Sequence, residues 1–203
     1  MERIILGNLS KKYRKQSVLN AFSYRFEDKV YAIIGSNGVG KSTLLKCILS
    51  LIRYSGSIRV CSLLPIAYLP EFVSVPPYVS VLQFLDTFLN VSENEVEKLR
   101  INESLNKWQM QDAKNKKLHT LSKGMLQKVL LLLVLHTKSD IYLFDEPLSG
   151  LDQVAQALFK DELLALKKQN KCIILSTHYV LYYQELIDQV LLYEEGKFYE
   201  ANI

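Results

Sequence analysis

The fold this sequence predicts is α/β: a mainly parallel sheet with crossover helices and a helical subdomain inserted into it. Three observations predict it. In the second half, short β-branched apolar runs alternate with longer amphipathic ones. A glycine-rich turn at 35–43 joins a strand-like run to a helix-like one, and no strand signal occurs between about Val81 and His136.

In chain order, Arg3–Leu6, Ser23–Phe26, Val30–Ile34 and Ser57–Val60 have the length and composition of strands. Lys41–Leu51, Val81–Leu89 and Val154–Leu166 carry apolar residues three and four apart and read as helices. Later come a strand at Ile141–Phe144, a helix at Asp152–Lys168, a strand at Cys172–Leu175, a helix at Tyr179–Leu186 and a strand at Val190–Tyr193. Parallel strands need such crossovers. Within the helical stretch, Ser92 followed by Glu95 offers a capping box for a helix running toward Trp108. The preceding EFVSVPPYVS carries Pro76 and Pro77, which continue neither a sheet ladder nor a helix interior, so it reads as a linker. The expected division is a nucleotide-binding core over 1–71 and 137–203 and a helical subdomain over about 72–136.

The 203 residues make one well-buried domain the expectation. With 49% hydrophobic and 23% charged residues, disordered, collagen-like and disulfide-scaffold classes are excluded. The longest apolar run, Val129–Leu135, is far shorter than the roughly 20 residues a membrane-spanning helix needs. The start, MERIILGNLSKKYRK, has Glu2, a short apolar run and no small-residue cleavage site, so it does not read as a signal peptide and cytosolic residence is expected. Cys47, Cys61 and Cys172 sit in apolar runs and read as small buried hydrophobes rather than a disulfide framework. The net charge of +4 is spread along the chain and gives little support to a nucleic-acid groove.

Gly35, Ser36, Asn37, Gly38, Val39, Gly40, Lys41, Ser42 and Thr43 spell GSNGVGKST directly after the run YAII. This is the phosphate-loop pattern G-x-x-x-x-G-K-[ST] in its strand–turn–helix context. Glycines let successive amide N–H groups face phosphate oxygens, and the helix N-terminus adds partial positive charge. Lys41 is expected to reach the β- and γ-phosphates of a triphosphate, and Ser42 to complete a Mg²⁺ shell. Further on, IYLFD ends an apolar run in Asp145, a carboxylate suited to the same metal, and Glu146 follows at once. Adjacent carboxylates in extended chain point different ways, so one can hold the metal while the other addresses the attacking water.

The chain resembles the ATP-binding cassette (ABC) ATPases over essentially its whole length. The resemblance rests on an ordered series: Tyr13, GSNGVGKST, Glu71 where a glutamine is usual, LSKGM from Leu121, IYLFDEP, SGLD ending at Asp152 and STH ending at His178. LSKGM is similar to bacterial exporter cassettes with KGM in the signature. The resemblance implies a P-loop NTPase core with a mainly parallel sheet, an N-terminal antiparallel β region and an inserted helical subdomain. It also implies that two cassettes pair head to tail on ATP and Mg²⁺, each nucleotide lying between one P-loop and the partner's Leu121, Ser122, Lys123, Gly124 and Met125. Ser122 can cap the helix that follows, turning its positive end toward that nucleotide. By the same resemblance Tyr13 stacks on adenine, His178 faces the γ-phosphate, and Asp152 crosses the dimer interface or caps the next helix. Glu146, Lys41 and His178 form the expected catalytic set, and Ser42, Asp145 and Glu71 the expected metal set. His119 and His136 have no such context and receive no role.

Two residues depart from the pattern. Glu71 brings a carboxylate where a neutral carbonyl is usual, binding a cation more strongly but adding negative charge beside the γ-phosphate. Met125 replaces the usual signature glutamine and loses a polar contact. The expected function is the ATP-hydrolysing subunit of an ABC transporter, on the cytoplasmic face of the membrane and driving a separate permease, in the export direction. Phe72, Val73 and Tyr78 are the residues expected to meet that permease. The alternatives are an ABC ATPase acting on DNA or the ribosome, or a slowly hydrolysing regulatory module. With no long coiled coil and a single cassette, no nucleic-acid partner is expected.

Overall fold

A computed structural model describes residues 1–14, 16–36, 38–194 and 197–201. The chain divides into two compact units, one formed by 1–71, 138–146 and 163–203, the other by 72–137 and 147–162.

The first unit holds two sheets. β1 (Glu2–Tyr13) pairs antiparallel with β2 (Gln16–Glu27) and with β4 (Ser55–Val60), giving the order β2-β1-β4. The second sheet runs β5-β6-β7-β3-β8-β9, with β3 (Val30–Ile34), β5 (Ala67–Leu69), β6 (Ile141–Asp145), β7 (Cys172–Ser176), β8 (Gln189–Glu194) and β9 (Lys197–Ala201). Its pairs are parallel except β8 with β9. β6 and β7 are buried throughout, which is why they read as unbroken apolar runs rather than alternating ones. Ile4, Leu9, Leu19 and Phe26 of the antiparallel sheet share one core with Ile33, Leu143 and Ile174 of the parallel sheet and with Leu44, Leu45 and Ile48 of α1 (Lys41–Ile48).

The second unit contains α2 (Val81–Leu89), α3 (Glu95–Lys107), α4 (Lys123–His136) and the first turns of α5 (Gln153–Lys168). Ile101, Leu105, Trp108, Val129 and Leu131 are fully or nearly fully buried there. Among the described residues no helix is long and apolar enough to cross a membrane.

Several sequence expectations are corrected. The capping box belongs to α2: Ser80 Oγ accepts from the Gln83 N–H at 3.2 Å and Gln83 Oε1 from the Ser80 N–H at 2.8 Å. Ser92 instead donates its N–H and hydroxyl to Asp86, and Asn94 caps α3 by accepting from the Val96 and Glu97 N–H groups. A carboxylate six residues earlier outbids a local cap for those donors. α1 stops at Ile48 rather than Leu51 because Ser50 adopts φ 55°, and the bonds Ser50 N–H to Cys47 O and Leu51 N–H to Lys46 O close a Schellman motif. The expected helix at 179–186 is only a short 3₁₀ turn, Val180–Tyr183. Cys61 is half-buried, whereas Cys47 and Cys172 are buried. β5 and β9 carry no usable sequence signal, one being three residues long and the other an edge strand rich in polar residues.

Candidate functional site

The turn between β3 and α1 crosses the carboxyl end of the parallel sheet, where open α/β sheets bind ligands. Its glycines are sterically required at two points. A Cβ on Gly35 would stand 2.8 Å from the Tyr193 carbonyl oxygen, and Gly40 has φ 135° and lies against Val18 and the Tyr193 ring. Tyr193, buried and packed edge-on against Phe198, therefore floors the turn. Asn37 lies outside the described residues.

Lys41 opens α1, with only 7% of its side chain exposed. Its ammonium donates to the Gly35 and Ser36 carbonyls at 2.8 and 3.2 Å and lies 3.2 Å from His178 Nε2. Burial lowers its pKa, and Glu146, Asp145 and Glu71 act in the opposite direction. A desolvated cation held by loop carbonyl dipoles, with no direct carboxylate hydrogen bond among the described residues, is well placed to take an anion. Ser42 Oγ donates to Asp145 Oδ1 at 3.0 Å. Asp145 is buried at the end of β6 and also receives the hydroxyl of Ser176 from the end of β7.

Glu146 takes φ 49°, a left-handed conformation uncommon outside glycine, asparagine and aspartate. Its N–H is held at 3.1 Å by both the carbonyl and the hydroxyl of Ser176. Lys41 Nζ stands 3.9 Å and His178 Nε2 3.1 Å from its Oε1. The Lys41 ammonium is an obligate donor, which assigns Nε2 as an acceptor with no proton for Glu146. That buried Oε1 accordingly has no hydrogen-bond partner among the described residues. Burial, with Asp145 and Glu71 adding to it against Lys41, pushes the Glu146 carboxyl up to about 7. Burial first and then Lys41 lower the pKa of His178.

Gly38, Gly40, Lys41, Ser42, Thr43, Glu71 and Glu146 line a cavity of about 120 Å³. That is the scale of phosphate groups rather than of a whole nucleotide. Ser42 and Asp145 are hard oxygen donors in contact, which fits a magnesium ion sharing its remaining ligands with phosphate and water. The chain thus brings together Lys41, Ser42, Asp145, Glu146, His178 and Glu71. Tyr13 does not line the cavity; it is half-exposed at the end of β1, with the Lys11 ammonium 4.7 Å from its ring centroid. Leu121, Ser122, Lys123, Gly124, Met125 and Asp152 belong to the other unit. There Ser122 caps α4, accepting from the Met125 N–H at 3.2 Å. Asp152 Oδ1 accepts from the Ala155 N–H at 2.8 Å, the capping alternative weighed for it. Sequence reasoning missed Ser176 as the group that aims both carboxylates; its signal was a serine at a strand end two residues before His178.

The profile of the ABC transporter family matches residues 20–149. The chain belongs to the ABC transporter family. An uncharacterised ABC transporter ATP-binding protein of Methanocaldococcus jannaschii is 35% identical over 200 residues, covering 96% of this chain and 75% of its own length. The lantibiotic transport ATP-binding protein SrtF of Streptococcus pyogenes is 30% identical over 204 residues, covering 95% of this chain and 87% of its own. The solved structure of an ATP-binding subunit of an ABC transporter superposes with a TM-score of 0.89 at 24% identity, covering 99% of this chain and 90% of that one, which shows the shared fold. This ABC cassette is an ATP-binding subunit of the transporter type.

Proposed function

We propose that this ABC cassette hydrolyses ATP with Mg²⁺, pairs with a second cassette on nucleotide, and drives a separate permease from the cytoplasmic face of the membrane, in the export direction. The observation that carries the reading is the convergence of Lys41, the Ser42–Asp145 pair and an unpartnered Glu146 oxygen on one phosphate-sized cavity. In this reading the amides from Gly35 to Thr43 cradle the phosphates, and Lys41 exchanges loop carbonyls for phosphate oxygens. Ser42, Asp145 and Glu71 hold the ion, which supplies charge neutralisation on the transferring phosphoryl group. Glu146 takes the proton of the attacking water. A carboxyl near 7 gives up its proton at the operating pH yet is basic enough to take one back. His178 faces the γ-phosphate and accepts from the Lys41 ammonium, which keeps that cation at the turn.

The exposed N-terminus of α4, with Leu121, Ser122, Lys123, Gly124 and Met125, meets the partner's nucleotide, and Asp152 lies at the dimer interface. Phe72 and Tyr78, 79% and 77% exposed, and half-exposed Val73 supply apolar surface for the permease. The KGM signature supports the export assignment.

The test is gel filtration of Glu146→Gln with and without Mg-ATP. An ATP-dependent shift to twice the mass is expected, and a monomer at saturating ATP overturns the pairing. Tyr13 is assigned to the adenine face. Tyr13→Ala is expected to weaken nucleotide binding by about 1–2 kcal/mol, roughly five- to thirty-fold. Fluorescent-nucleotide titration reads this, and unchanged affinity removes the role.

A further inference from the structure

We infer that Lys128 is a positioning residue that latches the 147–152 loop onto α4, so that the signature end of the helix and the SGLD loop form one piece. Four contacts along one face of α4 make the latch. Lys123 Nζ donates to Ser149 Oγ at 3.0 Å. A Cβ on Gly124 would stand 2.5 Å from the Gly150 carbonyl oxygen, so the helix and loop backbones meet at a distance that only glycine allows. Gln127, buried, donates Nε2 to the Pro147 carbonyl at 3.0 Å. Lys128 Nζ donates to Asp152 Oδ2 at 2.8 Å. Positions 123 and 127, like 124 and 128, lie four apart, and 124 and 127 three apart, so the set shares one helical face.

Lys128 dominates because of its burial. Its side chain is 11% exposed against 58% for Asp152, so the ammonium has given up most of its water and depends on that one carboxylate. The Lys128 bond, and after it the Ala155 N–H, hold the Asp152 carboxyl below its ordinary range. One carboxylate thus ties the loop to α4 through Oδ2 while it caps α5 through Oδ1. The division of the chain agrees with this: 147–162 group with 72–137, although the strand ending at Asp145 belongs to the other unit.

The consequence rests on the proposed function. Ser122 and Gly124, assigned to the partner's nucleotide, and Asp152, assigned to the dimer interface, keep one mutual geometry, so nucleotide sensed at one is transmitted to the other without internal slack.

Amide hydrogen exchange on the isolated chain tests the latch without requiring a dimer. Lys128→Met is expected to speed exchange of the Leu151 amide, which donates to the Leu148 carbonyl at 3.1 Å, about ten-fold or more while the Leu131–Val134 amides keep wild-type rates. Lys128→Arg restores protection. Asp152→Asn keeps the α5 cap but loses the ion pair, and is expected to loosen the same amide; it stands in if Lys128→Met does not fold. Wild-type exchange at Leu151 in the folded variant overturns the latch, as does a uniform rise across α4 and the loop. A Glu146→Gln cassette that stays monomeric in ATP while Lys128→Met loosens the loop supports the latch and refutes the pairing.

Discussion

Lys41→Ala is expected to lower ATP affinity and hydrolysis by at least about 100-fold. The Lys41 ammonium is the cation set among Asp145, Glu146 and Glu71, all three of which act on it electrostatically. Without it, incoming phosphates face these carboxylates uncompensated. One like-charge pair at 4 Å costs on the order of 4 kcal/mol at an effective dielectric of 20. A 100-fold change needs about 2.7 kcal/mol, so a single unbalanced contact accounts for the loss. Folding is expected to survive, because the cation removed is a desolvated one and the Gly35 and Ser36 carbonyls can accept from water instead. Nucleotide titration with a thermal melt separates the two effects. Wild-type affinity in a folded Lys41→Ala protein contradicts the placement of phosphate at this turn.

Glu146→Gln is expected to cut hydrolysis by about 10²–10⁴ while leaving ATP affinity equal to or above wild type. Glutamine keeps the shape of a side chain whose Oε1 is buried, but cannot take a proton from water. It also removes one negative charge from a cavity built for phosphate, which is why binding does not suffer. Steady-state phosphate release beside an affinity measurement reads both parts. Full-rate hydrolysis by the variant removes Glu146 as the base. A wild-type rate no higher than that of Lys41→Ala favours the regulatory reading raised by Glu71 and Met125.

The sequence by itself determined whatever is local in the chain. GSNGVGKST announces its turn because glycine backbone freedom, the lysine and the following helix are all read within nine consecutive residues. Asp145 was legible as a carboxylate closing an apolar run, and Ser122 as a helix cap, for the same reason. The family series was legible because its motifs keep their order along the chain. Tertiary structure alone decided what depends on residues far apart. The Ser176 hydroxyl meets Asp145 only because β6 and β7 pair in register, Asp145 opposite Ser176. Lys41 meets His178 across the sheet, and Ser92 serves Asp86 rather than its own helix. Lys128 reads from the sequence as one more cation on a helix, and only the packing of α4 against the loop gives it Asp152. Backbone propensity and motif order act along the chain, whereas burial and charge pairing act through space, and a side chain's partner is settled by the second.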